Sequence, residues 1–555
     1  MASIEDKSSV SRRQWLGTAA SASLGSTLLG VSARAQTSSV AEDSAIGART
    51  YNVRDFGAKG DGQTLSTIAF QAAVDACNRD MGGTVLVPAG VFLIGTVELK
   101  SNVRLHLASG CVLRGSADGK QYHAIDAVPL TGDATLNDGN VALIFAVGAE
   151  NVTIDGNGTI DGLGDQFRSP ARGVPPPSGR GSADRPYHLL FHRCKNLTIR
   201  DITLKAGAFH SIRVIQSQLL KFEGLHIHNR VNRNNDGFHF VSCEYVHISN
   251  CDVVCQDDAC ALFGSCKFVT VTNCSFTTRW SVFRFGGGIA ENIVVSNCLI
   301  YQTFGCPIKM RCGPGSRFEN MSFSNLIMNR VTGPFSISVG SGKEEADSRP
   351  PGLVRNIQFS NIEATVVVPI PLADVPFESR YNPGEIKSCI GFNNVGGVLE
   401  SISLDNVRVS FPGGGTPEEA SVRDVPLVIG EYYAAGVLPA YALYARSVRA
   451  LELHNVRFSV RDAEARPAIV LDHVEDATLE GMTATATDAE SLVRLVACKD
   501  ILISSPRALS SGKTFLEVEG DASENIKVQG GDISRRARTA VLRDGASKAS
   551  VTIHD

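Results

Sequence analysis

The chain has 555 residues, of which 20% are charged and 7% aromatic, with a net charge of −4. This is the composition of a soluble globular protein, and it lacks the basic excess that nucleic acid or an anionic membrane surface would require. No stretch is long and apolar enough to favour a membrane span in the mature chain.

The first segment reads as an address. Ser11-Arg12-Arg13-Gln14-Trp15-Leu16-Gly17 is a twin-arginine pattern, followed by the mildly apolar stretch 18–33 and by Ala33-Arg34-Ala35. The last triplet fits the small-x-small rule for signal cleavage, so residues 1–35 are expected to be an export signal. The mature protein is then periplasmic or secreted. Residues 36–49 read as a flexible lead-in, and 50–555 as a single domain.

After Asp55-Phe56-Gly57-Ala58-Lys59-Gly60-Asp61-Gly62, apolar spacing predicts an amphipathic helix over Thr67–Cys77, followed by Gly82-Gly83-Thr84-Val85-Leu86-Val87-Pro88-Ala89-Gly90. A helix ahead of the repeats suits a solenoid, whose open end exposes core and strand edges.

From residue 150 on, one pattern recurs. Val246-x-Ile248-x-Asn250, Val269-x-Val271-x-Asn273, Ile293-x-Val295-x-Asn297 and Met321-x-Phe323-x-Asn325 are short strands with alternate residues apolar, each closed by Asn. The pattern continues at Ile357, Ile402 and Leu451, and weaker copies flank it on both sides. Closing residues step by 23, 26, 23, 24 and 28 from Asp201 to Asn325, then by 36, 45 and 49 to Asn455. Period-2 strands at this spacing, with no helical pattern between them, predict an all-β fold, a right-handed parallel β-helix capped by the N-terminal helix. Leucine-rich repeats are excluded by the absence of their helical half. The closing Asn is expected to point inward and bond its equivalents in adjacent coils. The wide steps predict long loops at 326–360, 362–401 and 407–450, the kind that border a cleft.

Fourteen cysteines are present, nine of them between Cys243 and Cys312. Cys251, Cys274 and Cys298 each follow a closing Asn and so stack on successive coils. Their spacing does not fit a zinc site, and stacked free thiols are expected.

The residues with chemistry lie in the central coils, about 196–330. Asp236 in Asn234-Asn235-Asp236-Gly237 precedes the pair Asp257-Asp258 by 21 and 22 residues, close to one coil. Stacked on neighbouring turns, three carboxylates crowd one patch, an arrangement that folding does not need. His210 lies one coil before Asp236, and His239 three residues after it. Arg279, Arg284, Lys309 and Arg311 follow on the next coils as candidate contacts for substrate. Turn chemistry and structural Ca²⁺ are the bland reading of such aspartates. The pattern calls for no cofactor and no metal.

Taken together, the segment Asp55–Gly90, the Asn-x-Asp-Gly run, the Asp-Asp pair and the repeats resemble glycoside hydrolase family 28, the polygalacturonase group. The resemblance covers roughly residues 50–460. Family motifs are Asn-Thr-Asp, Gly-Asp-Asp, Gly-His-Gly and Arg-Ile-Lys. Here they read Asn234-Asn235-Asp236, Gln256-Asp257-Asp258, Thr278-Arg279-Trp280-Ser281 and Pro307-Ile308-Lys309, so the carboxylates and the lysine are kept while the histidine and arginine are not. Phe411-Pro412-Gly413-Gly414-Gly415-Thr416 and the stretch Leu438–Arg446 look like a bacterial branch of the family.

The resemblance implies inverting hydrolysis of a pectic or other uronate-containing polysaccharide, with Asp257 as general acid and Asp236 and Asp258 positioning and activating water. It gives Asn234 a part in fixing that geometry and Lys309 a part in holding a uronate carboxylate, with Arg284 or Arg311 in place of the missing cation. A polysaccharide lyase on the same fold and a non-catalytic glycan-binding solenoid are the alternatives. The enzyme is expected to act as a monomer.

Overall fold

The computed structural model describes residues 47–130, 139–170, 173–180, 184–340, 348–370, 372, 374, 387–431 and 433–554. The expected export signal, and the expected lead-in up to residue 46, lie outside them. The described residues belong to one compact unit, Ile46–Asp555.

Each coil follows one local rule. In the coil that opens at Glu244, strand Glu244–Ser249 buries Val246 and Ile248, turns at Asn250 and continues as Asp252–Cys255. It then rounds a corner at 256–259 and runs on as Cys260–Phe263. The next coil repeats this directly beneath, so that Val246 pairs with Val269, Val269 with Ile293, Ile293 with Met321, Met321 with Ile357 and Ile357 with Ile402. The expected register holds coil after coil. Every ladder between the strands is parallel, and the connections close a right-handed parallel β-helix. Its core is a continuous column of side chains; Phe359, for example, stacks with Phe323 at 5.4 Å and with Phe335 at 4.1 Å.

The closing asparagines do not point inward as expected. Asn297, Asn325, Asn361 and Asn406 lie on the outside at left-handed φ values of 56°, 54°, 53° and 53°. Their amides form an external ladder, Asn325 Nδ2 donating to Asn297 Oδ1 at 3.1 Å and Asn406 Nδ2 to Asn361 Oδ1 at 2.8 Å. The bend needs a positive φ, which Asn tolerates better than other residues with a side chain, and that turns the amide away from the core. Asn361→Ala is therefore expected to cost about 1–2 kcal/mol, and Asn361→Gly less, measured by urea denaturation.

The expected helix, α1, spans Thr67–Arg79, two residues beyond its predicted end. It buries Phe70, Ala73, Val74 and Cys77 against the first strands, Thr50–Asn52 and Gly83–Val87. All fourteen cysteines are buried and unbridged, and the backbone N–H of Cys251 reaches Cys274 Sγ at 3.4 Å.

One sheet carries the site. Its relevant strands are β1 (Ile212–Ile215), β2 (Phe238–Val241), β3 (Cys260–Phe263), β4 (Phe283–Gly286), β5 (Ile308–Cys312), β6 (Phe335–Gly340) and β7 (Ile390–Val395). The wide steps are narrower as loops than expected, because 326–331, 335–340, 353–366 and 398–411 are strand. Among its described residues the stretch 412–442 contains only a short helix, α2 (Pro417–Ser421), and part of it returns to the site.

Candidate active site

The carboxylates meet where the chain enters this sheet. Phe238 pairs with Cys260 and Cys260 with Phe283, which places Asp236 directly over Asp258 and Asp258 over Ser281. The backbone ladder extends to these corners: Ser211 N donates to Asp236 O, Gly237 N to Asp258 O and Ala259 N to Ser281 O, at 3.0, 3.0 and 2.9 Å. A one-coil spacing in sequence has become a one-strand spacing in space, about 4.8 Å.

Asp236 is buried between two imidazoles. His210 Nδ1 lies 2.9 Å and His239 Nδ1 2.8 Å from the same oxygen, Oδ2. A carboxylate only accepts, so His239 Nδ1 carries the proton that it donates, while His210 Nδ1 stands within ion-pair distance of the same oxygen. Burial, and then the charges of Arg213 and His210, hold the His239 imidazole well below its usual range, which keeps it neutral. Among the described residues these three are the set whose ligand atoms cluster tightly enough for a metal, within 4.8 Å of one another. Within this set His239 Nδ1 and Asp236 Oδ2 face each other in a hydrogen bond of 2.8 Å, and His210 Nδ1 completes the cluster at 2.9 Å. Sequence reading made His210 and His239 lining for substrate; the structure instead packs both against Asp236, each side chain at most 7% exposed.

Asp257 and Asp258 are half-buried. Asn234 Nδ2 donates to Asp257 Oδ2 at 3.2 Å, and the Asp258 N–H to Asp257 Oδ1 at 3.0 Å. Asn234 stands at φ 54°, and Arg185 Nη2 donates to its Oδ1 at 3.2 Å, so the amide is held from both sides. Asn235 locks this corner: its Oδ1 accepts from Val231 and Asn232, and its Nδ2 donates to Gly207 O and Phe209 O. Asp258 accepts from Ser281 N at 3.2 Å and lies 4.0 Å from Arg284 Nε.

A row of outward side chains runs beside the carboxylates: Arg213, His239, Ala261, Arg284 and Lys309 pair in register along β1 to β5. Lys309 is 3% exposed and Arg311 lies in the open. Arg279 stacks on the Trp280 ring at 4.5 Å, and Lys309 Nζ lies 5.7 Å from the same ring. Thr278 Oγ1 donates to Asp257 O and accepts from Trp280 N, tying this platform to the carboxylates. Lys309, expected to hold a uronate carboxylate, already faces a carboxylate of the protein itself: Glu431 Oε2 lies 2.6 Å from its Nζ.

Sequence reasoning missed Arg185, Arg213, Trp280 and Glu431. A signal existed for Trp280, one of only two tryptophans in the chain, the other being Trp15. Another groove, of about 410 Å³, lies on the outer face of the longer sheet. Glu452 is its only ionisable lining residue, so it offers no acid–base pair.

A row of stacked carboxylates flanked by cations and an aromatic face can protonate a leaving oxygen, activate water and hold a sugar. Comparison with known proteins agrees with this chemistry. The family model for glycosyl hydrolases family 28 matches residues 77–372, more than half of the chain. A probable polygalacturonase of Vitis vinifera is 32% identical over 363 residues, covering 60% of this chain and 72% of that one. An exo-poly-alpha-D-galacturonosidase of Dickeya chrysanthemi is 28% identical over 337 residues, covering 51% of this chain and 56% of that one. The structure of a family 28 exopolygalacturonase from Yersinia enterocolitica superposes with a TM-score of 0.53 over 78% of each chain at 18% identity, which speaks for the fold. The chain belongs to glycosyl hydrolase family 28 and is a polygalacturonase-like glycoside hydrolase on a right-handed parallel β-helix.

Proposed function

We propose that the protein is an exported, monomeric hydrolase that cleaves a pectic, uronate-containing polysaccharide with inversion at the anomeric carbon. The observation that carries this reading is the stacking of Asp236 over Asp258 with Asp257 beside them. Asp257 donates a proton to the leaving oxygen. Asp236 and Asp258, approached by imidazoles and by Arg284, take the proton of the attacking water. Inversion needs room for that water, about 6.5–9.5 Å between acid and base.

Asn234 orients Asp257, and Trp280 offers a flat apolar face to a sugar ring, with Arg279 stacked on it. The relatives named for polygalacturonate support an acidic chain as substrate. Export rests on the twin-arginine segment at 11–17.

The test is hydrolysis of pectic oligosaccharides followed by reducing-end assay, ultraviolet absorbance and proton NMR. Reducing ends should rise without an ultraviolet-absorbing product, and the first-formed anomer should be opposite to that of the substrate. An unsaturated, absorbing product would mean β-elimination and overturn the reading. Retention of configuration would overturn the inverting mechanism alone.

A further inference from the structure

Beyond Asp258 the cleft wall turns strongly cationic. Arg284 on β4 pairs in register with Lys309 on β5, and Arg311 follows two residues later on the same face. Arg284 Nε is 4.0 Å from Asp258 Oδ2, so this cradle directly adjoins the carboxylates. Three cations on two neighbouring strands repel one another unless an anion joins them.

The protein supplies that anion itself. Glu431, 122 residues beyond Lys309, places Oε2 2.6 Å from Nζ. The pair is largely withdrawn from water, with the lysine side chain 3% and the glutamate side chain 25% exposed. Burial pushes the Glu431 carboxyl up, but Lys309, Arg284 and Arg311 together outweigh it, and the net shift is downward. Glu431 is thus a carboxylate seated in a cationic cradle.

Its segment is fastened to the next two strands. Gly430 N donates to Ser338 Oγ on β6 at 3.3 Å, and Asn393 Nδ2 on β7 donates to Val428 O at 3.1 Å. Ile429 packs over Gly340, where an added Cβ would lie 2.1 Å from Ile429 Cδ1. Four consecutive residues, 428–431, therefore seat against the sheet, and Glu431 is a fixed part of the wall.

A uronate carboxylate arriving over Lys309 would meet this carboxylate at close range in a site shielded from water. Arg284 and Arg311 offset part of that repulsion, but the ammonium that would hold the uronate is already taken by Glu431. A neutral sugar meets no such penalty, since its hydroxyls can donate to Glu431 and accept from Lys309. We infer that Glu431 determines specificity: the subsite over Lys309 takes a neutral sugar, and the preferred substrate is a polysaccharide in which neutral sugars and uronates share the backbone. This rests on the Asp236–Asp257–Asp258 cleft being the catalytic one.

The experiment compares wild type, Glu431→Gln and Glu431→Asp on two oligosaccharides of equal length, one all galacturonate and one with galacturonate alternating with rhamnose. Wild type is expected to favour the alternating chain by at least about tenfold in kcat/KM. Glu431→Gln should raise kcat/KM on the all-galacturonate chain at least about tenfold, mainly through KM, while Glu431→Asp keeps the wild-type preference. A wild-type preference for the all-galacturonate chain, or an unchanged ratio in a folded Glu431→Gln, overturns the inference.

Removing one partner of a buried pair can also unfold a protein. In that event, direct binding of both oligosaccharides to Asp257→Asn, which leaves Glu431 intact, provides the second measurement. Tighter binding of the alternating chain supports the inference, and equal or reversed affinity overturns it. Asp257→Asn also separates the two readings, because full activity in that variant removes the catalytic assignment whatever Glu431 selects.

Discussion

Asp257→Asn is expected to lower kcat about a thousandfold while KM changes little. A positioned general acid contributes about 10²–10⁴ to rate, and a group that acts only in the transition state lowers kcat and kcat/KM together. The amide keeps the size of the carboxyl, and although its one oxygen can accept from only one of the two donors, Asn234 Nδ2 at 3.2 Å and the Asp258 N–H at 3.0 Å, the position is half-buried and water can serve the other. The fold should therefore survive, and unchanged circular dichroism with an unchanged thermal midpoint is the control. Asp258→Asn should also lower kcat strongly, because it removes one of the two carboxylates, Asp258 and Asp236, that take the proton of the water. Since acid and base serve one transition state, the double variant should lose far less than the product of the two losses. Steady-state kinetics on the substrate that wild type prefers checks all three. Retention of more than about a tenth of wild-type kcat by Asp257→Asn would remove it from the role of acid.

Much of this architecture was legible because a parallel coil leaves a periodic trace. Val246, Val269, Ile293 and Met321 occupy equivalent places in the sequence pattern, and they are Cα partners in the fold. The same arithmetic put Asp236 over Asp258. It could not show which way the closing Asn points, since period-2 alternation says nothing about the sign of φ at the bend. Nor could it reveal that His210 and His239 share one oxygen of Asp236, a contact that depends on ring orientation.

Glu431 was beyond reach for a different reason. It sits in a segment without periodicity, and its partner Lys309 is 122 residues away. Long-range charge pairing of this kind has no sequence signature. The loop that carries specificity is thus the part of the chain least readable from sequence, while the scaffold that positions the acid and base is the most readable.

Acid should weaken the fold before it titrates most carboxylates. His188 is 1% exposed, and burial pushes its pKa down to about 4 despite the favourable carbonyl of Lys205 and the charge of Asp161. Its ring sits where Gly162 and Gly207 leave space; a Cβ added at either glycine would lie 2.7 Å from it. His239, beside the catalytic Asp236, is held low in the same sense. An imidazole whose folded pKa lies below its unfolded value binds protons more readily in the unfolded chain. Its neutral burial is tolerated fully above pH 6.5, and stability is lost progressively as pH falls from 6.5 toward 4. For His188 alone the loss amounts to about 3 kcal/mol across that window. His239 adds to it with the same sign. Carboxylates with lowered pKa, such as Asp61 at about 2, lose their contribution only below 3.8, so the two windows are separable. Urea midpoints measured from pH 7 to pH 4.5 should therefore fall steadily, and His188→Gln, which keeps a donor for the Lys205 carbonyl, should flatten the slope. A wild-type midpoint that holds constant over this range would show that these imidazoles reach protons without unfolding. Should the midpoint fall as expected, declining activity at acid pH would report loss of the His210–Asp236–His239 geometry as well as titration of the catalytic acid and base.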